Sequence, residues 1–132
     1  MIKSHKDLFV WQKGIELVME VYRLTKDFPP NEKFGLVSQL RRAAVSIPSN
    51  IAEGRSRKTR KDFTQFLRIA LGSTAELDTQ LIISDQLSFI SSMDYNKISL
   101  RLDEIGKMLN SMIKKLTIPK LAANSQPLEA IK

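Results

Sequence analysis

The sequence has no cysteine and only one histidine, His5, in its 132 residues. Lacking cysteine, the chain can form no disulfide, no thiolate nucleophile and no Cys-based zinc or iron–sulfur site. His5 falls in the polar opening Met1-Ile2-Lys3-Ser4-His5-Lys6-Asp7, where a solvated surface role is expected. A bundle holding two iron ions needs Glu-x-x-His pairs facing inward, and one histidine outside the helices cannot supply them. No serine stands with the histidine in a nucleophile–base motif, and neither glycine-rich phosphate motif occurs. No run approaches the roughly 18 apolar residues of a membrane span, and the polar start is unlike a signal peptide. These absences point to a cytoplasmic protein with no cofactor, metal or small-molecule substrate.

Glycine and proline are also scarce, at five each. The prolines punctuate: Pro29 and Pro30 form one break, Pro48 lies inside a periodic segment, and Pro119 and Pro127 mark a tail. Between the breaks apolar residues recur at helical spacing. Two stripes run along the first segment, Leu8-Trp11-Ile15-Val18-Tyr22 and Val10-Leu17-Val21-Leu24-Phe28, a face broad enough for several neighbours. After the Pro29-Pro30 turn, with Pro30 or Asn31 suited to a helix start, Val37, Leu40, Ala44, Ile47, Ile51 and Gly54 keep one rhythm. That rhythm stays in phase across Pro48, which predicts one helix kinked there rather than two.

A third segment from about Arg60 to Phe89 carries Phe63, Leu67, Ala70, Thr74, Leu77 and Leu81 inward. The fourth, capped by Ser92 or Asp94, repeats Tyr95, Ile98, Leu102, Ile105, Leu109, Met112 and Leu116. No strand pattern appears. The expected fold is all-α, an antiparallel up-down-up-down four-helix bundle over residues 1–117, with a flexible tail over 118–132.

Charge is present in excess and unevenly spread. The 21 basic and 14 acidic residues give a net +7. Residues 31–61 hold eight basic and two acidic side chains, whereas residues 62–93 hold one and four. Such asymmetry suits a polyanionic partner or charge-complementary packing between subunits. The densest run is Arg55-Ser56-Arg57-Lys58-Thr59-Arg60-Lys61, at the junction of the second and third helices. Arg55, Arg57, Lys58, Arg60 and Lys61 are the candidate phosphate contacts, although basic groups ending a helix also complement its dipole. No aromatic interrupts the run, so contact would be backbone-led.

Arg41 and Arg42 lie beside core positions and are expected to form structural ion pairs, as are Glu53 and Glu76. The one route to an enzyme is a carboxylate metal site from Glu53 with Glu76 and Asp78, and ion pairing explains those residues better. Catalytic residues are therefore not expected.

The stretch Asp7-Leu8-Phe9-Val10-Trp11-Gln12-Lys13, then Phe28-Pro29, Glu32 and Gly35-Leu36, resembles a known family. The long run Gln39-Leu40-Arg41-Arg42-Ala43-Ala44-Val45-Ser46-Ile47-Pro48-Ser49-Asn50-Ile51-Ala52-Glu53-Gly54 makes the likeness specific. Asp62-Phe63, Phe66-Leu67, Ala70, Gly72-Ser73 and Glu76-Leu77-Asp78-Thr79-Gln80-Leu81 extend it, so that it spans Asp7 to Leu116. The chain is similar to the four-helix-bundle proteins of the 23S rRNA intervening-sequence family (S23 ribosomal protein-like), named for members encoded within bacterial large-subunit rRNA genes. The family is related in fold to the basic ring-shaped accessory protein of diversity-generating retroelements. The resemblance implies a homo-oligomeric ring, a homopentamer, with no catalytic residues and no cofactor. Gly14 departs from the family's usual alanine and Phe34 from its frequent tyrosine. The expected function is phosphate-backbone binding of RNA or DNA by a non-catalytic ring. The alternative is a protein–protein scaffold or adaptor ring that binds no nucleic acid.

Overall fold

The computed structural model describes residues 3–118, so the tail from residue 119 onward lies outside the described residues. Among them are four α-helices and no strand: α1 (Phe9–Thr25), α2 (Leu36–Arg55), α3 (Arg60–Gln86) and α4 (Ser92–Thr117), with short 3₁₀ turns at His5–Asp7 and Pro30–Glu32.

Contacts between helices settle their directions. Pro48 of α2 packs beside Gly14 of α1, while Arg41 Nε donates to Thr25 Oγ1 at 2.9 Å. The rising α1 number meets a falling α2 number, so the two run in opposite senses. Ser46 meets Ser73 at 2.8 Å and Gly54 meets Phe63 and Phe66, which sets α2 against α3 in the same way. Asp78 with Tyr95 and Asp85 with Ser92 do so for α3 and α4. Lys13–Glu104 and Glu20–Arg101 ion pairs close α4 back on α1.

The core is aliphatic. Leu17, Leu40, Ile47, Ile51, Leu67, Leu77, Leu81, Ile98, Ile105 and Leu109 are fully buried, each stabilising the fold by about 1.5–3 kcal/mol before chain entropy is counted. Pro48 stands inside α2 without ending it, and it is buried on the α1 side. Its missing N–H deprives the Ala44 carbonyl of a partner. Asn50 Nδ2 donates to the carbonyl and hydroxyl of Ser46 at 2.8 and 2.9 Å, not to Ala44.

Helix ends differ from the sequence reading in three places. Pro30 does not open α2; it starts a 3₁₀ turn, and Glu32 Oε1 reaches forward to accept the Leu36 N–H at 3.2 Å. The cap of α4 is Ser91, whose hydroxyl accepts from Asp94 N at 3.0 Å, rather than Ser92 or Asp94. The third helix stops at Gln86 because Ser88 turns left-handed, with φ 62°. Phe89 N then donates to Ser84 O and Ser88 N to Asp85 O, both at 2.9 Å, the bond pair of a Schellman stop.

The two α1 stripes are buried to different degrees: Leu8 of the Trp11 stripe is core and Trp11 and Val18 pack against it. Val10, Leu17 and Val21 are buried, but Ile15 and Tyr22 of the Trp11 stripe are about two-fifths exposed. His5 is half-buried, its ring edge-on to Trp11 with centroids 5.1 Å apart.

Candidate nucleic-acid interface

The basic run is built by one glycine and two caps. Gly54 ends α2 so close to α3 that a Cβ there would lie 2.7 Å from Phe66 Cβ. That approach sets the two helices at a sharp corner. Ser56 N donates to Ala52 O and Arg57 N to Gly54 O, while Ser56 Oγ donates to Glu53 O. Two residues on, Thr59 is extended and its Oγ1 accepts the Asp62 N–H at 3.2 Å, capping α3. The corner thus holds the N-terminal end of a 27-residue helix, where unbonded N–H groups add positive potential and Asp62 offsets part of it.

The five candidate side chains have distinct situations. Arg57 pairs with Glu53 at 3.2 Å and lies over the Phe66 ring, 4.9 Å from its centroid. It is held flat on α3. Lys58 and Lys61 are exposed and have neither an ion pair nor a hydrogen bond among the described residues. Arg60 is half-buried, and its Nε and Nη1 are shielded from solvent without any acceptor. Guanidinium N–H groups in that condition retain unmet hydrogen-bonding capacity. Arg55 is half-buried in the last turn of α2 and is not free of partners.

The expected structural ion pairs form only in part within the chain. Glu53 pairs with Arg57, not with Arg41 or Arg42. Arg41 bonds Thr25 and stacks on Tyr22, 4.4 Å from the ring centroid, because at its level α1 offers a hydroxyl and a ring instead of a carboxylate. Arg42 is exposed with no partner among the described residues, and Glu76 accepts only from Gln80 Nε2, at 3.5 Å. The α2–α3 register puts Glu53 level with Phe66, ten residues from Glu76, so roughly 15 Å separates them along the helix. Asp78 is occupied by the Tyr95 hydroxyl at 3.0 Å. Among the described residues no group of three acidic or histidine side chains could hold a metal ion. The carboxylate pairing does not assemble.

Topology gathers more cations than the linear run contains. The end that carries the corner also carries the start of α1 and the end of α4, hence Lys3, Lys6, Lys114 and Lys115. Arg68 and Lys107 stand one further stretch along the bundle. At the opposite end a cleft of about 710 Å³ is lined by Arg23, Asp27, Asp85, Phe89, Ser92 and Asp94. The protomer is therefore electrically polar along its axis, cationic at the α2–α3 corner and of mixed sign at the other end. The clustered lysines of α4 escaped sequence reading because they stand apart in the chain; their seven-residue spacing, folded against α3, was the available signal.

No helix among the described residues is long and apolar enough to cross a membrane. A family model described as "23S rRNA-intervening sequence protein" matches residues 6–111. No curated protein matches the chain. Among solved structures it is similar to a crystal structure from Bacteroides thetaiotaomicron, a protein with unknown function from the S23 ribosomal protein family. The two share 29% identity with a TM-score of 0.72, covering 80% of this chain and 98% of that one.

Proposed function

The chain belongs to the 23S rRNA-intervening sequence protein family, and we propose that it is a non-catalytic, cytoplasmic bundle that binds RNA or DNA through backbone phosphates. The observation that carries this reading is the α2–α3 corner. Lys58 and Lys61 project there exposed, with no ion pair or hydrogen bond among the described residues, and half-buried Arg60 adds a third cation at a helix N-terminal end. Arg55 and Arg57 complete the contact set. Arg57 serves from its stacked position on Phe66, with the remaining guanidinium edge free of Glu53.

The working form is a homo-oligomeric ring, a homopentamer. Support for self-association comes from the apolar side chains of the α1–α2 face that the protomer leaves partly uncovered: Ile15, Met19, Tyr22 and Val45. A ring repeats the corner about its axis, so weak contacts add as avidity. The test is binding of generic RNA by the wild type and by a variant with Arg55, Arg57, Lys58, Arg60 and Lys61 changed to Gln. Loss of binding is expected. Unaltered binding removes the corner from the account.

A second reading, a scaffold ring without nucleic-acid binding, draws on the outer side of α3. Ile69, Ile83 and Leu87 are exposed there beside Glu76. It requires a salt-sensitive oligomer with no RNA affinity, read by sedimentation at two salt concentrations.

A further inference from the structure

The α3–α4 register pairs Asp78 with Tyr95 and Asp85 with Ser92. Continuing it toward the basic corner brings Arg68 level with Lys107, and Lys61 level with Lys114. Within each helix the two cations are seven residues apart and so share a face. At about 100° per residue, Arg68 lies roughly 80° and Lys61 roughly 100° round from Asp78, on the side turned away from the core. Lys107 and Lys114 stand in the same relation to Tyr95, roughly 120° and 100° round. All four are exposed, and none has an ion pair or hydrogen bond among the described residues.

We propose that Lys61, Arg68, Lys107 and Lys114 form a two-rung cationic ladder outside the α3–α4 groove, a track along which a nucleic-acid duplex continues from the corner. The inference rests on the phosphate-binding reading above and extends it to a surface and a ligand form. Seven residues of helix separate the rungs by roughly 10.5 Å. That is about three phosphate charges of one strand measured along the axis of a B-form duplex, at 3.4 Å of axis each. Asn110 is exposed between the rungs on α4 and adds an amide donor, and Asp103 and Glu76 end the positive strip farther along. A duplex suits the track better than a single strand, because single-strand grooves use aromatic platforms. At the corner itself Phe63 is buried, and Phe66 faces Gly54 of α2 and already carries Arg57.

The experiment is salt-dependent binding of a short RNA duplex of generic sequence to the full chain. It compares wild type, a ladder variant (Arg68→Gln, Lys107→Gln, Lys114→Gln) and a corner variant (Lys58→Gln, Arg60→Gln). Circular dichroism and sedimentation check that each retains its helices and mass. The ladder variant is expected to flatten the log–log salt slope by about one unit per cation removed. Restoring Lys107 and Lys114 while changing Arg68 to Lys should return the slope. If the ladder variant keeps the wild-type slope while the corner variant loses it, the ladder is wrong and the corner reading stands. A changed sedimentation mass with an unchanged slope assigns the lysines to a subunit contact and also overturns the ladder. Absence of wild-type binding at low salt defeats both.

Discussion

Three of the four helical glycines, each of which would gain about 1 kcal/mol of helix propensity on conversion to alanine, have surroundings that give three different outcomes. At Gly54 a Cβ would meet Phe66 Cβ at 2.7 Å and Phe63 Cδ1 at 3.0 Å, and the first of these cannot swing aside. Gly54→Ala should therefore destabilise the protein by about 1–3 kcal/mol net, read by urea denaturation, and should weaken RNA binding by prising the corner open. At Gly72 nothing lies within 4 Å, so Gly72→Ala should stabilise by up to about 1 kcal/mol. Gly14 is intermediate. Its Cβ would press on the stiff Pro48 ring at 3.3 and 3.4 Å, which offsets the propensity gain. Sequence alone shows Gly14 as a loosened turn of helix; the proline it accommodates lies on another helix and is visible only after packing.

At the scale of elements, the stop of α3 is the weakest local choice. Ser88 occupies a left-handed position, with φ 62°, where a Cβ is penalised and glycine is not. Ser88→Gly should raise stability by about 1 kcal/mol, measured as an increase in melting temperature; an unchanged or lowered value would refute the strain argument. The α3–α4 pair also has a pH signature. Burial, opposed by a hydrogen bond with Ser99 and reinforced by Asp78, raises the Tyr95 hydroxyl above its ordinary 10.0. A raised folded-state value contributes stability that is complete below pH 10 and disappears as pH climbs through the folded-state ionisation. Wild type should therefore lose stability relative to Tyr95→Phe in that alkaline range, and parallel curves would contradict it.

What was legible at this scale follows from physics. Apolar side chains at three–four spacing identify all four helices, including passage through Pro48, because burial of one face is recorded in every turn. Helix ends are recorded by single hydrogen bonds, and competing donors abound: Ser91, Ser92 and Asp94 could each cap α4, and only the chain path selects Ser91. Cross-helix partners are less legible still. Arg101 bonds Glu20 at 2.7 Å and Lys13 pairs with Glu104 at 3.2 Å, choices made by register between helices far apart in sequence. The contiguous basic run could be read directly for the same reason that the ladder could not.

For the whole molecule, the polarity of the bundle and its partly uncovered α1–α2 face make separate demands. Sedimentation equilibrium should give a mass several times the 15.0 kDa of one chain, five times for the proposed ring. A monomer at micromolar concentration would remove the avidity on which weak phosphate contacts depend. Ile15→Asp with Met19→Asp should lower that mass if this face joins the copies, and leave it unchanged if another face does.

The most direct test of the cationic corner is the affinity of the unmodified chain for a generic RNA duplex as salt is raised. The five corner contacts alone correspond to a log–log slope of about −4.5. Going from about 50 to 200 mM salt should therefore weaken binding at least roughly 500-fold per protomer engaged, and the ladder cations steepen it further. An affinity that is indifferent to salt, or no binding at the lowest salt, would contradict a phosphate-binding role for this protein.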